Sequence, residues 1–405
     1  MTYRTRAILI LSAITAAVAP LPSAWVERLY SRGVYPILQQ AITPVSNLVP
    51  VALLDIASVL LLAFFAVTVV RDLRIQGPRT AVRRALLRLV TAAAAVYLLF
   101  LASWGLQYRR RPLQEKLDFD GSRVSEESAR QLATVAIERL NAGYAAAHAQ
   151  PYRLEALERA FEEAQTTLGA TRLAVPGRPK RSLAGLYFRY AAVDGMTVPV
   201  FLEIILNPDL LPIERPSVLA HEWAHLAGYA DESEANFVSW LAGVRSTDPV
   251  AQYSAWMDAY RLAAGALPRQ TRASLPPLDE GPRADFRAIA ARYARSSPAV
   301  RTAARGVYDS YLKANRVEAG IESYELALQL MLGTPPVREL LRRHREAKIA
   351  PESTGNRVIG GTGIGGSRTG SGTALHHRRT PGDPPGPPRE ELPLRRTART
   401  ADHVG

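Results

Sequence analysis

The sequence predicts a mainly α (α+β) protein, with three N-terminal transmembrane helices followed by a helical domain that carries a short edge-strand region. Three observations predict it. Apolar runs at about 7–25, 51–70 and 89–107 alternate with mixed or arginine-rich segments. From Ser125 onward, apolar residues recur at helical spacing behind serine and acidic helix starts. One segment, 196–206 (MTVPVFLEIIL), is instead rich in β-branched and aromatic residues.

The elements follow in order. Residues 7–25 come after Arg4 and Arg6 and resemble a signal peptide, but the later apolar runs favour a first membrane helix that ends or kinks near Pro20 and Pro22. Residues 26–50 read as an interfacial connector, with Tyr30 and Tyr35 at headgroup level. The run 51–70 is the second span, with Asp55 near its end at the interface, and 89–107 is the third, with Trp104 and Tyr108 at its exit. Six arginines between the second and third spans place that loop in the cytoplasm and everything after residue 108 outside; Arg109, Arg110 and Arg111 pull the other way. Helices are expected over 125–149 and 151–169, and 175–182 (VPGRPKRS) is expected as a solvated basic loop. The segment 196–206 reads as one strand, and Pro199 puts it at a sheet edge. Tyr253, Trp256 and Tyr260 read as core. Residues 109–349 thus form the soluble domain, and the Gly/Pro/Arg-rich stretch 350–405 is a disordered tail that cannot bury a core.

The chemistry lies in PSVLAHEWAHLAGYADESEANFVSWL, residues 216–241. Within it His221, Glu222 and His225 form HExxH, and on a helix positions i and i+4 share a face, so both imidazoles reach one Zn2+ ion. Glu222 is placed to take a proton from a water beside that ion. The chain has seven histidines, of which His376 and His377 fall in the tail and carry no role; two of the four preceding the tail make this pair. Pro216 and Gly228 frame the helix. There is no cysteine, so thiolate ligands and disulfides are excluded. Three acids compete to be the third ligand. HExxHxxGxxD runs to Asp231 and resembles the aspartate-ended metzincin signature, whereas Glu232-Ser-Glu-Ala-Asn236 resembles the ExxA[ND] element of gluzincin-like peptidases. Asp231 and Glu234 stand three apart at a helix start, as in a capping box, which leaves Glu232 free to turn to the metal. Glu232 is therefore preferred over Asp231 and Glu234, with Asn236 one turn on as a hydrogen-bond partner for a ligand. Tyr324 is the candidate to stabilise a tetrahedral oxyanion, ahead of Tyr311.

Together, HEWAHLAGYADESEANF, WGLQYRRRPL at 104–113, LKAN…ESY at 312–324 and the three-span N-terminal region resemble a bacterial membrane-protein family catalogued as domain of unknown function 3810, over roughly residues 20–345. The resemblance implies an HExxH zinc-metallopeptidase site with its glutamate ligand at Glu232, and it supplies no substrate.

The net charge of +13 comes with no nucleic-acid-binding motif, and membrane flanks explain it more simply. The expectation is a multi-pass protein of the bacterial cytoplasmic membrane with a zincin-like, extracytoplasmic domain. That domain hydrolyses bonds in a peptide or protein substrate; the bilayer is its other partner, and nucleic acid is not. A non-catalytic membrane scaffold or sensor with a structural zinc site is the alternative, and a hydrolase of non-peptide amides is a third reading.

Overall fold

Proline and glycine set the boundaries of the N-terminal helices. The first helix, Tyr3–Val18, stops short of Pro20 and Pro22. A second helical stretch, Ser23–Asn47, leaves it at a bend of 108°. Gly77, at φ 77°, makes a tight turn between the helices Leu53–Gln76 and Pro78–Ser103. Among the described residues these two helices are long and apolar enough to cross a membrane; a third span exists only if the bent pair Tyr3–Val18 and Ser23–Asn47 counts as one. The expectation of three N-terminal spans is corrected to that extent, because the first apolar run is cut at 16 residues by its prolines. The computed structural model describes residues 2–315 and 324–335, with 339 and 342; the tail from 350 lies outside the described residues.

The presumed connector 26–50 is helical, and it includes a π-helical stretch, Val26–Val34. Tyr30 and Tyr35 turn inward, against the protein. Both are buried, with Tyr30 Oη donating to the Ala102 carbonyl and Tyr35 Oη to the Leu226 carbonyl. Arg109 and Arg110 also have internal partners. Arg109 donates to the carbonyls of Ala16 and Ala17 at the end of the first helix, and Arg110 forms an ion pair with Glu27 at 3.0 Å.

From Glu126 onward the described chain is mainly helical. Glu126–Ala149, capped by Ser125 as expected, packs along Pro249–Ala266, whose Tyr253 and Trp256 are buried. The central helix is Glu232–Arg245. It touches Leu154–Thr167, Arg215–Leu226, Pro249–Ala266 and Tyr324–Gly333, and is buried from Glu232 to Ala235 and from Phe237 to Gly243. A helix enclosed on all sides needs small residues: at Gly243 an added Cβ would stand 2.5 Å from Ala255 Cβ.

The sheet has three strands in the order β1-β3-β2: β1 (Pro179–Lys180), β2 (Gly195–Val198) and β3 (Glu203–Leu206). β1 runs parallel and β2 antiparallel to β3. The single strand expected over 196–206 is thus a hairpin that turns just after Val198, where Pro199 cannot continue the ladder. The supposed solvated loop 175–182 contains β1. Its Lys180 is buried, 2.9 Å from Glu203 and 2.8 Å from the Ser46 hydroxyl. Glu203 in turn accepts from the Leu53 and Leu54 N–H groups, capping the start of the helix Leu53–Gln76. Asp55, in the first turn of that helix, accepts from Ser182 Oγ and Leu183 N–H.

Candidate metal centre

HExxH lies on Arg215–Leu226, with Pro216 in the first turn. Gly228, at φ 87°, ends the helix in a Schellman pattern: its N–H bonds the His225 carbonyl, and the Tyr229 N–H bonds the Ala224 carbonyl. This turn serves the site directly. It places the Tyr229 carbonyl 2.7 Å from His225 Nδ1, and a carbonyl only accepts, so Nδ1 carries the proton. Neutral His225 therefore presents a bare Nε2. Trp104 Nε1 donates to the His225 carbonyl at 2.8 Å, and Arg110 donates to the Gly228 carbonyl at 2.7 Å. With Tyr35 on the Leu226 carbonyl, three residues from the N-terminal region hold the end of this helix.

Three side chains converge. His221 Nε2 and His225 Nε2 are 3.1 Å apart. Glu232 Oε2 lies 3.2 Å from His221 Nε2, and Oε1 lies 3.6 Å from His225 Nε2. Four-coordinate bonds of about 2.0–2.1 Å separate adjacent donors by roughly 3.3 Å, so the donor set fits a tetrahedral ion of that size with one position left over. Among the described residues, His221, His225 and Glu232 are the group of three that could hold a metal.

The neighbouring acids have other work. Asp231 is the N-cap of Glu232–Arg245, and its Oδ1 accepts from the N–H groups of Ser233 at 2.8 Å and Glu234 at 3.3 Å. Glu234 accepts from the Leu113 N–H and faces Arg110 and Lys116. The expected capping box is thus present in its aspartate half, while Glu234 supports a different loop.

Electrostatics separate the two glutamates of the site. Burial raises the Glu222 pKa, and the nearby histidines and the Thr197 hydrogen bond only partly oppose it. For Glu232, burial acts in the same direction, but His225, His221 and Tyr308 outweigh it and hold the group down at about 2. His221 responds in kind. Burial lowers its pKa, yet Glu232, Glu222 and a hydrogen bond with Asn236 lift it to about 9 while no metal competes with the proton.

Glu222 is held from the edge strand. The Thr197 hydroxyl lies 2.8 Å from Glu222 Oε2 and 3.0 Å from its backbone carbonyl. Gly195 leaves room for the Glu222 carboxylate here, since an added Cβ would stand 2.6 Å from Glu222 Oε1 and push it aside. Arg292 braces this arrangement. It pairs with Glu214, just before the HExxH helix, at 2.6 Å, and with Asp194, just before β2, at 2.9 Å.

Sequence reasoning missed Tyr308, Thr197, Gly195 and Arg292. Tyr308, on the helix Pro298–Ala314, donates its hydroxyl to Glu232 Oε1. Tyr311, one turn further, hydrogen-bonds Tyr108. Tyr324 opens the helix Tyr324–Gly333, but its side chain lies outside the described residues. The i, i+3 spacing of Tyr308 and Tyr311 was a readable signal that they share a face.

The fold and site define a class: a mainly helical protein with membrane-length helices and a largely buried His-His-Glu donor set. Residues 30–332 match the family described as "Protein of unknown function (DUF3810)", and the chain belongs to that family. No curated protein and no solved structure matches the chain.

Proposed function

We infer that the protein is a membrane-anchored zinc-dependent metallopeptidase with a zincin-like soluble domain, held at a bacterial cytoplasmic membrane with that domain outside. The observation that carries this reading is the convergence of His221, His225 and Glu232 to 3.1–3.6 Å, with Glu222 alongside on the edge-strand side. His221, His225 and Glu232 would hold the ion. Bound there, zinc would supply Lewis-acid polarisation of a carbonyl and a water of lowered pKa.

The remaining steps belong to the chain. Among the described residues β2 pairs on one side only, so an extended peptide can add to its outer edge by backbone hydrogen bonds, which would lay its scissile bond beside Glu222. Glu222 takes the proton of the attacking water and passes it to the leaving amine, and a pKa raised by burial favours its taking that proton. Thr197 aims the carboxylate through Oε2. Tyr308 and Asn236 orient Glu232 and His221. A structural zinc site would call for a fourth protein ligand, and the donor group among the described residues has three.

Glu222→Gln tests the reading. The variant keeps the carbonyl that accepts from Thr197 but cannot take a proton. Zinc content by elemental analysis should match wild type, and hydrolysis of a quenched-fluorescent peptide mixture should fall by about 10²–10⁴. Wild-type hydrolysis in this variant would sink the mechanism.

A further inference from the structure

We propose that the protein has a second bilayer-contacting surface outside its spans: the outer face of Ser23–Asn47 and the short helix Ala184–Ala191 lie among lipid acyl chains and headgroups at the membrane surface. The polarity of Ser23–Asn47 is the reverse of that of a helix on a soluble domain. Its buried side is mostly polar, with Val26, Tyr30 and Tyr35 among the buried residues. Glu27, Ser31, Gln39, Thr43 and Ser46 all face the protein, and each has a partner there: Arg110, Gln107, Val175, Leu202 and Lys180 respectively. The outer side is apolar. Trp25, Leu29, Val34, Ile37, Val45 and Leu48 are 52–81% exposed. Arg28 and Arg32 are exposed beside this stripe, where long cationic side chains reach headgroups.

Position identifies the occupant. Tyr3–Val18 packs along the span Pro78–Ser103, and Ser23–Asn47 departs from it at 108°, so it runs across the end of the span region. Like the spans, it presents exposed apolar side chains on its outer face. The second element meets the same level from another side. Leu183 N–H and Ser182 Oγ bond Asp55 in the first turn of the span Leu53–Gln76. From there Leu183, Leu186, Tyr187 and Tyr190 form an i, i+3, i+4, i+7 stripe that is 47–76% exposed, with tyrosines suited to the headgroup level. Tyr35 on the Leu226 carbonyl and Trp104 on the His225 carbonyl then set the His-His-Glu cluster one hydrogen bond from this surface.

The chain's lack of cysteine permits a direct test. Single variants Leu29→Cys, Ile37→Cys, Val45→Cys, Leu186→Cys and Tyr190→Cys, with Arg130→Cys as an exposed control, are spin-labelled. The full chain is then placed in nanodiscs of phosphatidylcholine and phosphatidylglycerol. Labels on the two stripes should collide several-fold more with oxygen than with a water-soluble nickel chelate, and the Arg130 label should show the reverse. Stripe labels that behave like the control overturn the proposal, as do labels shielded from both relaxants, which would mean a second copy or another protein covers the face. If the variants fold poorly, the unsubstituted chain in nanodiscs bearing a photoreactive acyl chain gives the answer: labelling of peptides 20–48 and 183–190 supports the surface, and labelling confined to the spans refutes it.

Discussion

Two adjacent acids, Asp231 and Glu232, should separate cleanly on mutation. Asp231 Oδ1 accepts two backbone N–H groups, at 2.8 and 3.3 Å, and has no place in the donor set. Asp231→Ala therefore removes a helix cap, at a cost of about 1–2 kcal/mol. For a chain of this size each kcal/mol lowers Tm by about 2–4 °C, so the fall is roughly 2–8 °C, with zinc retained. Glu232→Ala removes one of the three proposed ligands. Binding free energies of about 10–16 kcal/mol for four-ligand zinc sites assign about 3 kcal/mol to each ligand, a loss of roughly 10²-fold in affinity. The assay is chelator competition with elemental analysis, run beside thermal melts of the same samples. Metal loss in Asp231→Ala, or wild-type affinity in Glu232→Ala, would refute the assignment and favour the aspartate-ended ligand set.

Three further outcomes are expected. Gly195→Ala puts a Cβ 2.6 Å from Glu222 Oε1; displacing the base by about 1 Å should cost up to roughly 10² in kcat at unchanged zinc content, measured on the same peptide mixture. Tyr308→Phe removes the hydroxyl that orients Glu232 and should weaken zinc binding by about 10–100-fold; a titration showing no change would leave Tyr308 without that role. Zinc affinity should also depend on pH. His221 without metal holds its proton up to about pH 9 rather than its usual 6.5, and binding must expel it, so affinity rises about tenfold per unit from neutrality to about pH 9 and flattens above. By the same shift, His221 stabilises the metal-free fold fully below pH 6.5, and that contribution is lost as pH rises through 9; melts of chelated protein should track it.

How far the sequence could be read depended on how local the governing interaction was. The HExxH helix, its end at Gly228, the Ser125 cap and the helix of Tyr253 and Trp256 follow from spacings within one or two turns, and the structure has them. The preference for Glu232 rested on Asp231 being engaged as a cap, again a contact within three residues, and that cap is present. The first apolar run failed because composition favours a span while two prolines cut its length, and neither effect is visible in the other's terms.

What the sequence by itself determined is the His221 and His225 pair, the neighbouring Glu222 and the mainly helical, membrane-length character of the chain. Each is a matter of residue type and period. Only the tertiary structure decided which groups serve that site from a distance. Tyr35 lies 191 residues from the carbonyl it holds, Trp104 lies 121 from His225, and Tyr308 lies 76 from Glu232. A hydroxyl or indole N–H carries no mark in sequence of the acceptor it will meet. That choice is made when packing brings the elements together and leaves each buried polar group to find a partner.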